Sequence, residues 1–359
     1  MTEWIECKIS DIGTVVGGAT PSTKKPENYE NGTIAWITPK DLSTFTRRYI
    51  QRGERNITEI GLKSCSTQLL PKDTVLFSSR APIGYVAIAT NEVCTNQGFK
   101  SVVPNENTNP LFLYYLLKYN KDKIEGMGSG TTFKEVSGNT MKNIVVSVPT
   151  DKKVQERISS MLGSIDDKIE ENERINNNLE YQARAIFINE FLSLKTPPDG
   201  WKQASLIDIA DYLNGLAMQK YRPADDEIGI SVLKIKELRQ GCCDNNSELC
   251  SPNIKSEYII HDGDVIFSWS GSLLVDFWCG GICGLNQHLF KVTSSKYDKW
   301  FYYAWTKHHL DRFISVAADK ATTMGHIKRG ELAKAEVFIP NESDYSRIGA
   351  LLQPIYDLI

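Results

Sequence analysis

Basic and hydroxyl-bearing side chains recur in segments of this chain that are typical of loops, and these side-chain types bind phosphate. The segment "TPKDLSTFTRRYIQR" brings Lys40, Arg47 and Arg48 close together, and "SSRAPIG" adds Arg80. Lysine and arginine neutralise phosphates, serine and threonine position the backbone, and arginine, lysine, asparagine or glutamine reach base edges in the major groove. The pattern therefore favours a surface that binds a nucleic acid.

The predicted DNA-binding residues fall in corresponding segments of the two halves of the chain. They are Thr20, Ser22, Lys24, Lys40, Arg47, Arg48, Arg80, Thr131, Thr132 and Lys134 in the first half, and Lys220, Arg222, Lys236, Arg239, Thr322, Thr323, Lys328 and Arg329 in the second. One charged loop is weak evidence because exposed charges are usually only solvated, whereas recurrence in both halves strengthens the hypothesis. The formal net charge is -3, so any such surface is a local patch.

The two halves are related by a tandem duplication. A shift of 190 positions aligns "LLPKDTVLFSSRAPIG" with "IIHDGDVIFSWSGSLL", and in the same register it places Asn96-Gln97 on Asn286-Gln287. With small further shifts, "WIECKISDI" matches "WKQASLIDI" and "IAWITPKDL" matches "ISVLKIKEL". The same offset aligns "QERISSMLGSIDDKI" with "YSRIGALLQPIYDLI", so each repeat is one domain followed by one helix.

The repeated Asn-Gln dipeptide has two interpretations. Its side-chain amides can pair bidentately with adenine, or they can hold a turn through local hydrogen bonds. The dipeptide is kept in both copies while the basic loops diverge, and two domains that read different bases should differ where they read. The sequence therefore favours a structural role for Asn96 and Gln97.

Each repeat is predicted to be a mixture of short strands and one helical stretch. Runs such as "VLFSS", "YVAIAT" and "NIVVSVP" are rich in β-branched and aromatic residues, and the helical stretches span 109–124 and 299–314. The aromatic residues on these helices are predicted to be core rather than a platform for stacking bases, and the following His308 and His309 are predicted to lie at the surface. The aromatic residues in question are Tyr114, Tyr115, Tyr302, Tyr303 and Trp305.

A long helix is predicted to join the two domains. Ile158, Ile165, Asn172, Leu179 and Ile186 repeat every seven residues, which indicates a coiled-coil seam, although an ordinary amphipathic surface helix is the alternative. The predicted organisation is domain 1 at 1–150, spacer helix 1 at 151–195, domain 2 at 196–341 and the start of spacer helix 2 at 342–359. Connectivity then predicts an antiparallel helix pair, pseudo-twofold symmetry and a second helix that is truncated relative to the first.

Cysteine usage and hydropathy indicate a cytoplasmic protein. The eight cysteines form no paired framework, as expected in a reducing compartment, and no apolar run reaches the roughly 18 residues of a membrane span. The segments "GCCDNNSELC" and "CGGIC" contain five cysteines that could bind zinc. Their spacing matches no usual zinc motif, so small buried hydrophobic residues are the favoured interpretation and no metal is predicted.

The sequence argues against an enzyme. It contains no phosphate-binding GxxxxGK[ST] loop, no GxSxG or HExxH motif, and no Asn/Asp-Pro-Pro-aromatic motif for amino-methylation. A non-catalytic coiled-coil adaptor that binds only protein partners remains the alternative. The recurring basic loops speak against it, and salt-dependent DNA binding would distinguish the two.

Over essentially its whole length the chain resembles the specificity (S) subunits of type I restriction-modification systems. The resemblance is carried by "ISDI", "GGATPS", "VLFSSRAPIGYVAI", the "NQ" turn, "SGTTFKEVSGNTMKNIVVSVP" and the helix "QERISSMLGSIDDKIEENERINNNLE". It implies an α+β protein with two tandem mixed α/β target-recognition domains, which read the two halves of a gapped site in double-stranded DNA.

The resemblance also implies partners. It predicts a non-catalytic platform for two modification (methyltransferase) subunits and for restriction subunits, with no cofactor of its own and S-adenosylmethionine on the modification subunit. The second copy departs from the first, because Ser270 stands at the position of Arg80 and "KATT" replaces "SGTT". The resemblance therefore does not fix which individual residues of the second domain bind DNA.

Overall fold

The computed structural model describes residues 3–130, 134–194, 196–319 and 327–359. The chain forms two compact units, Met1–Glu173 and Arg174–Ile359, which divide within one long helix. Four predicted site residues, Thr131, Thr132, Thr322 and Thr323, lie outside the described residues.

The first unit is a mixture of short strands and short helices that precede one long helix. Its strands are β1 (Trp4–Lys8), β2 (Gly13–Gly17), β3 (Ile34–Ile37), β4 (Tyr49–Ile50), β5 (Arg55–Ile57), β6 (Val75–Ser79), β7 (Ile83–Ala89), β8 (Cys94–Thr95), β9 (Lys100–Pro104) and β10 (Val145–Pro149). Its helices are α1 (Ile9–Ile12), α2 (Pro39–Leu42), α3 (Glu59–Lys63), α4 (Pro110–Tyr119), α5 (Lys121–Gly126), α6 (Gly138–Asn143) and the start of α7 (Lys152–Phe187).

The second unit repeats this order of elements. Its strands are β11 (Lys202–Ser205), β12 (Asp211–Asn214), β13 (Ile230–Leu233), β14 (Leu249–Cys250), β15 (Ile259–Ile260), β16 (Val265–Ser268), β17 (Leu274–Phe277), β18 (Cys283–Leu285), β19 (Leu289–Thr293) and β20 (Glu336–Ile339). Its helices are α8 (Leu206–Ile209), α9 (Ile235–Gln240), α10 (Lys299–His308), α11 (Leu310–Asp319), α12 (Arg329–Ala333) and α13 (Glu342–Tyr356).

The two units share most of their sheet topology, as the duplication in the sequence predicts. The order β2-β9-β6-β7, extended by β4, corresponds to β12-β19-β16-β17, and the pair β1-β10 corresponds to β11-β20. In the second sheet of each unit a parallel pair recurs, β3 with β8 and β13 with β18. Because β8 and β18 lead directly into the two Asn-Gln turns, the repeated topology places these turns at equivalent positions.

The predicted aromatic core is confirmed, with one correction nearby. Tyr302, Tyr303 and Trp305 on α10 are buried in one cluster, and Tyr114 on α4 is buried in the core of the first unit, against which Tyr115 packs half-buried. His309 was predicted to lie at the surface, but it is buried, and its ring nitrogen Nε2 lies 2.8 Å from the carbonyl oxygen of Glu336. Burial lowers the pKa of His309 to about 4, so the ring is neutral near pH 7.

The long helix α7 contributes to both cores. It continues beyond Phe187 as a π-helical turn, Ile188–Leu192. Ile158 packs against the core of the first unit, whereas Phe187 and Phe191 are buried in the core of the second. Between these anchors Ile165 is solvent-exposed, as are Met161, Ile169 and Ile175 beside it, whereas Leu179 and Ile186 are half-buried. The antiparallel coiled-coil pair stays a prediction.

None of the helices in the described ranges is both long and apolar enough to cross a membrane. The eight cysteines all lie within the described ranges and are free thiols. In the segments considered for zinc, Cys250 and Cys283 are buried, as predicted for small hydrophobic residues, and Cys243 is half-buried. The prediction is wrong for Cys242 and Cys279, which are exposed. Within the described residues, no three His, Cys, Asp or Glu side chains are grouped closely enough to hold a metal ion.

Candidate nucleic-acid interface

The two Asn-Gln turns have the same hydrogen-bond framework. The Asn96 amide N–H donates to the Ile37 carbonyl (3.0 Å), and the Asn96 side-chain oxygen accepts from the Gly98 amide (2.8 Å). In the second unit the Asn286 amide donates to the Leu233 carbonyl (3.2 Å) and its side chain accepts from the His288 amide (3.3 Å). The structural role that the sequence favoured is therefore confirmed for the asparagine of each pair.

One glycine directly follows β2 and another directly follows β12. Each lets the loop after its strand pack closely against the Asn-Gln turn of its own unit. A Cβ atom added at Gly18 would stand 2.2 Å from the carbonyl oxygen of Asn96, and one added at Gly215 would stand 2.2 Å from that of Asn286. These distances are too short for any side chain, so the close approach requires glycine. The close packing fixes the loop that carries the predicted Thr20 against the first turn.

Three further segments of the first unit lie at or beside the same turn. The Ser79 amide donates to the Gly98 carbonyl (2.7 Å), and the Val136 amide donates to the Ser79 carbonyl (2.9 Å). A Cβ atom at Gly98 would stand 2.7 Å from Pro39, so the first turn of α2 is also adjacent. Segments widely separated in sequence thus converge at the end of β6.

This convergence collects several polar side chains into what we call the Gln97 surface: Thr20, Arg80, Gln97, Lys100, Lys134 and Glu135. The Thr20 hydroxyl donates to the side-chain oxygen of Gln97. The Glu135 carboxylate lies 3.7 Å from the Arg80 guanidinium and 3.4 Å from the Lys100 ammonium. Three cations and one carboxylate leave the Gln97 surface positive, which suits phosphate.

Gln97, Lys100 and Glu135 belong to this surface although the sequence pattern did not predict them. The available signal was position, since Lys100 begins the strand that follows the Asn-Gln turn. Glu135 offers no such signal, because it is far from Arg80 in sequence and meets it only in the folded chain, through a β-bridge and an ion pair. Gln97 was assigned to the framework together with Asn96, but its side chain instead contacts Thr20.

The remaining predicted DNA-binding residues of the first unit lie outside the Gln97 surface. Ser22, Lys24 and Arg47 are solvent-exposed. Lys40 is also exposed and forms an ion pair with Glu54 at 3.0 Å. Exposed ion pairs contribute little to stability, so Lys40 can exchange this partner for a phosphate at small cost.

Arg48 is a correction to the predicted DNA-binding set. Its side chain is only 6% exposed and is directed at α7. The guanidinium donates to Asp167, to Glu170 (3.3 Å) and to the Gly163 carbonyl (3.1 Å). A guanidinium that is buried and occupied in this way is not available to DNA. Arg48 instead holds α7 against the first unit.

The second unit presents different side chains on the same frame, which we call the Trp269 surface: Asn214, Trp269, Ser270, Gln287 and His288. The Trp269 indole N–H donates to the Asn214 side-chain oxygen (2.9 Å), and the Ser270 hydroxyl lies 3.1 Å from the His288 ring. None of these five residues was predicted to bind DNA. Trp269 and Ser270 occupy the positions of Ser79 and Arg80, so an indole stands where the first unit has a serine hydroxyl and a buried serine stands where it has a guanidinium.

The predicted basic residues of the second unit have three kinds of surroundings: an ion pair, a main-chain carbonyl or solvent. Arg222 pairs with Glu248 at 3.1 Å, and Lys236 pairs with Asp244 at 3.0 Å. The Arg329 guanidinium donates to the Tyr212 carbonyl (3.4 Å). Lys220, Arg239 and Lys328 are exposed. Lys328 is linked to the Trp269 surface through the chain. It directly follows Ile327, whose main-chain amide donates to the Trp269 carbonyl (3.0 Å).

A comparison with known protein families assigns this chain. The family model described as the type I restriction modification DNA specificity domain matches residues 1–181 and 198–359. The chain therefore belongs to this family, as the resemblance predicted. The two matched regions correspond to the two copies of the repeat.

Curated relatives and a solved structure agree with this assignment. The MjaIX specificity subunit of a type I restriction enzyme from Methanocaldococcus jannaschii is 33% identical, covering 99% of this chain and 88% of that protein. The EcoR124I/EcoR124II specificity subunit from Escherichia coli is 28% identical over 164 residues, which is 44% of this chain and 40% of that protein. A crystal structure of a type I restriction-modification S subunit from M. genitalium has the same fold, with a TM-score of 0.56 at 14% identity over 99% of this chain and 91% of that one.

These findings confirm the predicted class of protein. The chain is a specificity subunit by family and is not itself an enzyme. The predicted α+β fold with two specificity domains is likewise confirmed.

Proposed function

We propose that this protein recognises double-stranded DNA for a type I restriction-modification complex, with each unit reading one half of a gapped site. One observation supports the proposal most strongly. The two units share the same backbone framework around the Asn-Gln turn, but they present different polar side chains there. The Gln97 surface offers cations and amides, whereas the Trp269 surface offers an indole, an imidazole and amides. Two readers with different contacts suit a site whose halves differ in sequence.

The proposed division of labour on the Gln97 surface follows from side-chain type. Arg80, Lys100 and Lys134 supply the charge that attracts phosphate, and the amide of Gln97 is the group suited to a base edge. Glu135 limits the attraction, because it pairs with Arg80 and Lys100 in the absence of DNA. Competition of this kind penalises non-specific binding, where no base contact compensates for the broken ion pairs.

The part of α7 that belongs to the first unit is the proposed platform for partners. Met161 and Ile165 on α7 are 70% and 54% exposed, and Ile169 is exposed nearby. Apolar side chains grouped in this way are typical of surfaces that a protein partner covers. We assign this segment to the binding of two modification subunits. Those subunits bind S-adenosylmethionine, and restriction subunits assemble on them. This chain needs no cofactor for recognition.

Exchange of one domain tests the function directly. We expect that replacing residues 1–150 by the first domain of another family member changes one half of the methylated motif in the host genome and leaves the other half and the gap unchanged. The physical reason is that each set of contacts lies within one unit. The measurement is genome-wide mapping of methylated bases, with the reciprocal exchange of residues 196–341 as the control. A change in both halves, or the absence of any gapped motif, would contradict the proposal.

Alanine substitutions test the Gln97 surface. We expect Arg80→Ala and Lys134→Ala each to weaken DNA binding by about three- to tenfold and to reduce the slope of log affinity against log salt by about 0.9 per lost phosphate contact. Glu135→Gln should strengthen non-specific binding, since it removes the competing carboxylate. Binding isotherms at several salt concentrations provide the measurement.

Lys72→Ala is the matched control for these variants. Lys72 is also an exposed cation, but it precedes β6, whereas the Gln97 surface lies at the other end of that strand. We expect its salt slope to equal that of the unmodified protein. If Arg80→Ala, Lys134→Ala and Lys72→Ala all have the same slope of log affinity against log salt, the DNA-binding surface lies elsewhere. A protein-only adaptor would show no salt-dependent DNA binding in any variant.

A further inference from the structure

Two cysteines of the second unit lie in contact although they are 40 positions apart in sequence. The Sγ atoms of Cys243 and Cys283 are 3.5 Å apart, and neither residue is in a disulfide. Cys243 is partly buried in the loop that follows α9, and Cys283 is fully buried at the start of β18. No third metal-binding side chain joins them among the described residues, so the pair is a dithiol rather than a metal site.

We propose that Cys243 and Cys283 form a reversible oxidation site that closes to an intramolecular disulfide in the presence of a peroxide. The Cys243 thiolate attacks one peroxide oxygen, which gives a sulfenic acid at Cys243 and releases water or an alcohol. The Cys283 sulfur then attacks the sulfenic sulfur, forms the S–S bond and releases water. Two thiols are oxidised and one peroxide is reduced, so the electrons balance.

The order of the two steps follows from exposure. A peroxide can reach the partly buried Cys243 but not the buried Cys283. Burial, assisted by the neighbouring Cys243 thiol, raises the pKa of Cys283, so this residue stays protonated and unreactive until a sulfenic acid forms beside it. Cys243 is therefore the residue oxidised first, and Cys283 is the resolving residue.

Closing the bond requires movement on one side only. A disulfide has an S–S distance of about 2.05 Å, so the sulfurs must approach by about 1.5 Å. Cys283 is held in β18, which pairs with β13 and β15. Cys243 lies two residues beyond Gly241, whose φ of 74° ends α9 in the left-handed conformation. The loop, and not the strand, is therefore the part that moves.

The movement would be transmitted to residues of the proposed DNA-binding set. The loop is tied to α9 by the ion pair between Lys236 and Asp244 (3.0 Å) and by the hydrogen bond from Ser247 to Glu237 (3.1 Å). Cys283 stands three residues before Asn286, which begins the second Asn-Gln turn. Under the proposed function, the disulfide would displace α9 relative to this turn and weaken reading by the second unit.

The first unit has no cysteine at the position that corresponds to Cys283. The parallel registers align Thr95 with Leu285, so Val93 occupies the position that corresponds to Cys283. Oxidation should therefore affect only the second half-site.

The chemical part of the proposal is tested on the full chain without DNA. The reduced protein is treated with hydrogen peroxide, free thiols are alkylated, and a non-reducing digest is analysed by mass spectrometry. We expect a linked pair of peptides that contain Cys243 and Cys283, lost on reduction and absent in Cys243→Ser and Cys283→Ser. Cys242→Ser is the matched control, because Cys242 lies on the same peptide and is more exposed; this variant should keep the link. A link that needs Cys242, or only over-oxidised Cys243, would overturn the inference.

The functional part is tested with a duplex that carries the methylated motif of the host. We expect the linked protein to bind about tenfold more weakly than the reduced protein, the size of one lost base contact, while Cys243→Ser is insensitive to peroxide. Equal binding by the linked and reduced forms would overturn the regulatory role. A link that forms in a protein that binds no DNA in either state would instead contradict the proposed function and leave the oxidation site standing.

Discussion

Replacing Arg48 by alanine is expected to lower the free energy of unfolding of the first unit by about 3 kcal/mol, the range for breaking a buried ion pair. The substitution leaves Asp167 and Glu170 without their shared cation and removes the side-chain donor to the Gly163 carbonyl. Partial exposure of the two carboxylates lets water compensate for some of the loss, so values near 5 kcal/mol are not expected. Urea denaturation gives the free energy, and amide hydrogen exchange identifies the unit that loses protection.

Arg47→Ala is the matched control, since it removes a neighbouring arginine that is solvent-exposed. We expect it to change stability by less than about 0.5 kcal/mol and to act on DNA binding instead. Arg48→Lys should recover only part of the loss, because an ammonium cannot reproduce the fork of donors that contacts three acceptors. If Arg48→Ala weakens DNA binding with unchanged stability, the assignment of Arg48 to the α7 anchor is wrong.

Phe191→Ala is expected to destabilise the second unit by about 4 kcal/mol, because it leaves a cavity in an aromatic cluster. The Phe191 ring is buried, and its centroid lies 5.4 Å from that of Trp305 and 4.9 Å from that of Phe187. A change of this size is a large fraction of the stability of an ordinary domain. The measurement is again denaturation combined with hydrogen exchange, read on peptides of α10.

Ile188→Ala serves as the control for Phe191, because Ile188 belongs to the same π-helical turn but is exposed. It should cost less than about 1 kcal/mol. Phe191→Leu keeps most of the volume and should cost about 1–2 kcal/mol. A loss for Ile188→Ala as large as that for Phe191→Ala would mean that helical structure in this turn, and not the packing of Phe191, stabilises the unit.

The structure changed the interpretation of the long helix at specific residues. The seven-residue pattern predicted a continuous seam, but Ile158 packs on the first core while Phe187 and Phe191 belong to the second. The aromatic pair falls outside the heptad positions that were identified. A periodic pattern records which face of a helix is apolar, but it does not say which surface covers each part of that face.

The amino-acid sequence by itself determined the duplication, the mixed α/β character of each repeat, the long helix and the family. Each of these depends on local signals, such as the spacing of apolar residues or a match between segments at a fixed offset, which survive without knowledge of long-range contacts. The asparagine turns belong to this group, because an asparagine side chain bonds to the backbone two residues later.

Only the tertiary structure decided which charged residues are available to a ligand. Arg47 and Arg48 are adjacent and chemically identical, yet one is exposed and the other is enclosed by carboxylates more than 100 positions away. Glu135 beside Arg80, and Cys243 beside Cys283, are likewise juxtaposed by packing between distant segments. The reason is physical: the free energy of a charge or thiol depends on burial and on neighbours within a few ångströms, and chain folding sets both.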